Sequence, residues 1–236
     1  MATTLLDAIA RLRTRIKDTG GDLPVAPAGY SYYWESDDST CLLGNAALAS
    51  IVDESQKEFC RRHPLTDSLT LSVSSGVSAY FLDPCVLAVE RAHLTTLGRD
   101  LVRVYQHRID ESDERFVLDG EVRYFRTDLS DHEITLVGAP SVDDVLVLSV
   151  QRLPYVTLEW ENRADDLEID DLYVEDLLLY ACYLAYSTRD FDTFNPELAN
   201  TCAERFRSRV GDPIKPGDLR VTKETAGRRL RTRTHY

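Results

Sequence analysis

The sequence lacks any run of about 18 uncharged apolar residues, the length a membrane-crossing helix requires. Its opening stretch, MATTLLDAIARLRTRIKDTG, does not follow the basic-then-apolar order of a secretory signal, so the expectation is a chain made in the cytoplasm, without membrane contact. Cysteines are few and odd in number: Cys41, Cys60, Cys85, Cys182 and Cys202 show neither CxxC nor Cys/His spacing. That argues against a zinc site or a disulfide framework and for buried free thiols. HExxH, a Gly-rich phosphate loop and a defensible Ser-His-Asp set are all missing, and the five histidines are scattered. Hydrolytic chemistry would have to come from the acidic runs DESDE (110–114), ENRADDLEIDD (161–171) and DFD (190–192). A metal-dependent hydrolase or ligand-binding module would use Asp110, Asp113, Asp165, Asp166 and Glu168. The runs lack the alternating ligands, the Gly and the closing Glu of a calcium loop, so they read as solvated charge. The expectation is no catalytic residue, no metal and no cofactor.

What is present is a chain long enough for one large or two small domains, with an apolar share of 43% that suffices for a core. Charge is segregated along it. Residues 213–236 hold seven Lys or Arg against Asp218 and Glu224, a balance of +5, which leaves −18 for the rest of a chain whose formal charge is −13. An acidic body of that size disfavours duplex DNA, since such affinity comes mainly from cations that neutralise phosphates. The tail, with little apolar content, is expected to order only on a partner.

Periodicity divides the chain into α+β parts: a helical bundle of about four helices carrying an inserted antiparallel β-sandwich or barrel-like domain, then an extended tail. The expected divisions are 1–64, 65–155, 156–212 and 213–236. A first helix from about Thr3 to Lys17 places Leu5, Ile9, Leu12 and Ile16 on one face and Arg11, Arg13 and Arg15 mostly on others. A Gly/Pro loop follows whose Tyr30, Tyr32, Tyr33 and Trp34 cover the domain's own core or meet another subunit. A second helix is expected to start after Asp38 or Ser39 and to run to about Arg62. From Leu65 to Leu153 the period changes to two, and turn residues divide the block into six or seven short strands.

Between Asp170 and Gly211 lie two amphipathic helices. Asp170 and Asp171 are expected caps of the first, with Glu175 and Asp176 near its positive dipole end. Apolar residues crowd Leu177 to Tyr186 too densely for one face, so this helix should be buried on most sides or shared with a neighbour. Asn195 and Pro196 open the second helix and Gly211 closes it, with Arg205, Arg207 and Arg209 at its negative end. Leu198, Cys202, Phe206 and Val210, with Ala199 and Ala203, form the expected docking stripe.

The order of these pieces resembles the head-to-tail adaptor, or connector, proteins of tailed bacteriophages and prophages. The matching stretches are the short N-terminal helix, NAALASIVDESQKEF (45–59), SVSSGVSAYFLDPCVLAVERAHL (72–94), VLSVQRLP (147–154) and YACYLAYSTRDFDTFNPELANTCAERF (180–206). The resemblance implies a structural virion protein of the neck: a homo-oligomeric ring, commonly of about twelve copies, under the portal protein. Such a ring extends the DNA channel, lets DNA through without sequence-specific binding and docks tail or nozzle proteins. On that reading Lys215, Arg220, Lys223, Arg228, Arg229, Arg231 and Arg233 bind the portal, although the arginines could instead touch DNA. Tyr32, Tyr33, Trp34, Leu177, Tyr180, Tyr183 and Tyr186 are the expected subunit interface. Other neck components, a stopper or a tail terminator, share the lack of chemistry; tail terminators tend to be shorter chains without this helical frame.

Overall fold

The computed structural model describes residues 2–18, 35, 41–104, 121–128, 132–188 and 194–213. Among these the chain is α+β, with four α-helices, two short 3-10 turns and seven strands in one curled mixed sheet. It divides into two compact units, residues 1–63 with 154–236, and 64–153, so the second unit is an insertion in the chain of the first.

In the first unit, α1 (Leu5–Ile16) starts at a capping box. The Thr4 hydroxyl accepts the Asp7 N–H at 3.2 Å, and the Asp7 carboxylate accepts the Thr4 N–H and hydroxyl. Leu5, Ala8, Ile9 and Leu12 are fully buried, as the 3.6-residue spacing requires. Arg13 is also fully buried, which corrects the expectation that it lies mostly off the apolar face. Lys17, at φ 60°, turns the chain so that Asp18 comes back beneath Arg13, and the two side chains meet at 2.7 Å.

That pair explains a second difference. Helix α2 (Asn45–Arg62) begins with Gly44 as its N-cap, not at Asp38 or Ser39. The Asp18 carboxylate takes the N–H groups of Leu42 and Leu43, and the Arg13 guanidinium takes the Leu43 carbonyl and the Asn45 side-chain oxygen. Backbone groups that a longer helix would use are thus committed elsewhere, and residues 41–43 stay bent.

Helix α2 also holds the segment that follows the inserted unit. The Asp53 carboxylate accepts the Leu158 N–H at 3.0 Å and the Gln56 side-chain oxygen accepts the Glu168 N–H at 3.1 Å. A 3-10 turn, Asp171–Tyr173, capped by Asp170, leads into α3 (Val174–Ser187), so the acidic caps act one turn earlier than the α-helix itself. Helix α4 (Pro196–Val210) starts as expected, with the Asn195 side chain accepting the Leu198 N–H, and ends at Gly211 with φ 84°. Its buried face is Ala199, Phe206 and Val210, flanked by the half-buried Cys202 and Ala203; Leu198 lies outside it, 44% exposed.

The inserted unit is the sheet, with strands β1 (Leu65–Val73), β2 (Ala79–Phe81), β3 (Val86–Leu94), β4 (Arg99–Arg103), β5 (Tyr124–Asp128), β6 (Glu133–Val137) and β7 (Asp144–Arg152). The order across it is β1-β7-β3-β4-β5-β6-β2. Neighbours are antiparallel except β4 and β5, which run parallel, so the all-antiparallel expectation is corrected. A parallel pair needs a connection of a dozen or more residues, and the stretch 104–123 supplies that length. Strand β4 pairs with β3 through Arg99 to Leu101 and with β5 through Val102 and Arg103. A strand that changes partner along its length is how a sheet turns a corner. The enclosed face buries Val89, Leu94, Phe125, Ile134, Leu136, Leu146, Leu148 and Val150.

One carboxylate ties the turns at one end of the sheet. Asp144, at the start of β7, accepts the N–H groups of Thr96, Leu97 and Val145 at 2.7, 3.2 and 2.6 Å. Burial by itself would raise its carboxyl; the bonds from Thr96, Val145 and Leu97 outweigh that and hold it below the ordinary carboxylate value.

Candidate functional site

Helix α3 is the centre of the helical unit, and α1, α2 and α4 each pack on it. Leu177, Leu178, Ala181 and Ala185 are fully buried, and every other residue from Leu177 to Tyr186 is buried or half-buried. The crowding read from the sequence is therefore satisfied largely inside the chain itself. Leu177 belongs to that interior.

The tyrosines of α3 lie to either side of α4. Tyr180 and Tyr183 have ring centroids 5.3 Å apart, Tyr180 and Phe206 of α4 5.0 Å, and the Arg62 guanidinium sits 4.8 Å over the Phe206 ring. They line an open groove of about 390 Å³ between α2 and α4. Burial, then the nearby Glu58 carboxylate, raises the Tyr180 hydroxyl. On the other side a second groove, about 400 Å³, runs along α3 past Leu179, Cys182 and Tyr186, with Leu198 and Arg205 of α4 opposite and Arg15 of α1 beside them. The Tyr186 hydroxyl donates to the Arg15 carbonyl at 3.3 Å. Cys182 and Cys202 both line this groove; burial, then the Cys202 thiol, pushes the Cys182 thiol up to about 12.

The point from which the basic tail departs is fixed by α2. Arg62 donates to the Gly211 carbonyl, and the His63 ring nitrogen lies 3.1 Å from the Val210 carbonyl. These are terminal carbonyls of α4, the groups a helix end leaves without partners. His63 is itself held in a ring stack, 5.4 Å from Phe59 and 6.2 Å from Tyr173. Arg62 is held by Glu58 at 2.8 Å.

The structure thus brings Tyr180 and Tyr183 into one groove and Tyr186 into the other. Tyr32, Tyr33 and Trp34 lie outside the described residues, as do Lys215, Arg220, Lys223, Arg228, Arg229, Arg231 and Arg233. Of the acids considered for hydrolysis, Asp110 and Asp113 are also outside; Asp165 and Asp166 are exposed. Glu168 is spent on structure, accepting the N–H groups of Tyr155 and Val156 at 2.7 and 2.9 Å. Among the described residues no three His, Cys, Asp or Glu side chains come together as a metal site would require, and no helix is long and apolar enough to cross a membrane. Sequence spacing does not mark Asp18, Asp53, Gln56, Arg62 or His63, and the expectation for Arg13 is a place mostly off the apolar face. A signal existed for one of them: Arg13 falls four residues after Ile9 and three before Ile16, on the apolar stripe itself.

The geometry thus shows two open grooves flanking a packed hairpin and a helix end held by α2. The chain belongs to the SU10 adaptor protein family, a family of bacteriophage adaptors whose model matches residues 3–233. None of the curated proteins matches it.

Proposed function

We propose that this protein is a head-to-tail adaptor of the virion neck. About twelve copies close into a ring beneath the portal protein, extend the DNA channel and dock the tail or nozzle proteins. The observation that carries this is the extent of the family match, which runs through both compact units and nearly to the end of the basic tail. The tail is thereby part of the shared chain and not an added end.

In this reading the four helices act as one bundle and frame the ring, the protein performs no catalysis, and it holds no cofactor. The −18 of the body suits a conduit wall: at the physiological Debye length of about 8 Å, phosphates near such a wall are repelled and do not form ion pairs. The tail residues Lys215, Arg220, Lys223, Arg228, Arg229, Arg231 and Arg233 reach an acidic groove on the portal and order there through charge-assisted hydrogen bonds. Arg62 and His63 set where that reach begins, since they hold the carbonyls of Gly211 and Val210. Portal binding by the full chain and by a chain ending at Gly211 tests the assignment. Loss of affinity on truncation is the expected result; equal affinity would remove the tail from the docking role.

A further inference from the structure

We propose that the groove along α3 between α1 and α4 is one half of the subunit contact, and that its occupant is the acidic segment 161–172 of a second copy of this chain. The proposal rests on the ring reading and supplies the surfaces that would make it.

The groove has an apolar floor and a basic edge. Leu179 and Tyr186 of α3 form the floor, and Leu198 extends it although it is 44% exposed. Two of the arginines at the edge are neutralised within the chain, Arg15 by Glu175 and Arg209 by Asp176. Arg205, exposed between them on α4, has no ion pair among the described residues. An apolar trough beside an uncompensated guanidinium fits a segment that offers a carboxylate next to an apolar side chain.

Segment 161–172 has that composition and is already held in shape. Leu5 donates to the Asp165 carbonyl, Leu6 to the Arg163 carbonyl and Leu167 to the Thr3 carbonyl, at 3.0, 2.9 and 2.9 Å. The Thr3 hydroxyl donates to Asp171 at 2.6 Å. The side chains of Glu161, Asp165 and Asp166 are exposed, and Leu172 is 79% exposed. A segment fixed to the start of α1 loses little conformational freedom when it docks, so more of the contact energy remains as affinity.

Groove and segment share no residue. Each copy therefore offers one of each; with the two engaging different neighbours, as the ring reading requires, the contact is heterologous, the type that repeats around a ring until it closes. The ion pair also makes the association sensitive to salt.

The test compares the mass of assemblies formed by the full-length chain, with and without portal, for wild type, Arg205→Glu, and Arg205→Glu combined with Asp165→Arg and Asp166→Arg. Arg205 is exposed and outside the core, so the thermal melting point should stay unchanged in the single variant. Expected is about a tenfold or greater weakening of subunit association in Arg205→Glu and recovery in the combined variant. Arg205→Glu assembling like wild type, or no recovery in the combined variant, would overturn the groove assignment and leave the ring reading intact. Wild type remaining a monomer even on the portal would overturn both. Loss of affinity for a short DNA duplex in Arg205→Glu, with assembly unchanged, would reassign the groove to phosphate.

Discussion

The guanidinium of Arg13 and the carboxylate of Asp18 meet at 2.7 Å with both side chains sealed from solvent, and between them they fix four groups of the chain from Leu42 to Asn45. A charge pair of this kind, completed by backbone donors and acceptors, joins the end of α1 to the start of α2.

Breaking it by one partner leaves the other charge buried alone, together with orphaned backbone groups. Arg13→Ala and Asp18→Ala should each cost about 3–5 kcal/mol of unfolding free energy, measured by denaturant titration. Replacing both with apolar residues should not restore stability, because the N–H groups of Leu42 and Leu43 would still lack an acceptor. Recovery in the double variant would show that the pair matters only through its charges.

Asp144 makes the stability of the fold sensitive to acid. Its carboxyl is held below the ordinary value of 3.8 in the folded chain. The stability it contributes is therefore present above 3.8 and lost as the pH falls through the lower folded value. Denaturant titrations at several pH values should show Asp144→Asn less stable than wild type at pH 7, with a smaller further loss on acidification. Equal pH slopes in the two proteins would contradict the assignment.

The α3–α4 hairpin protects its thiols chemically as well as sterically. With the Cys182 thiol pushed up to about 12, little thiolate exists at pH 8, and alkylation needs the thiolate. Mass spectrometry after a brief iodoacetamide pulse should find Cys182 unmodified in the native protein and modified in denaturant. Rapid native labelling would mean that the hairpin opens.

Regular spacing made much of this fold readable. Asn195, Pro196 and Gly211 bound α4 because caps act locally, and the alternation in LTLSV and VLVLSVQ marks strands whose alternate residues face the core. Long-range partners were not readable. Asp18 and Leu43 are far apart in sequence, so nothing near Ser39 signals that the helix must wait for Gly44. The parallel pairing of β4 with β5 depends on where a long connection returns, which side-chain alternation does not encode. Arg62 and His63 carry no local signal for their role, which exists only because α4 ends beside them. The crowded face of α3 was legible as crowding, but not as two grooves on either side of α4.

Ring formation is the central claim, and mass is its most direct measure. The full-length chain, weighed alone and then with its portal protein and imaged at low resolution, should give a closed ring of about twelve copies on the portal, even if the free chain is a monomer. A chain that stays monomeric in the presence of portal, at concentrations where portal itself is assembled, would contradict the account.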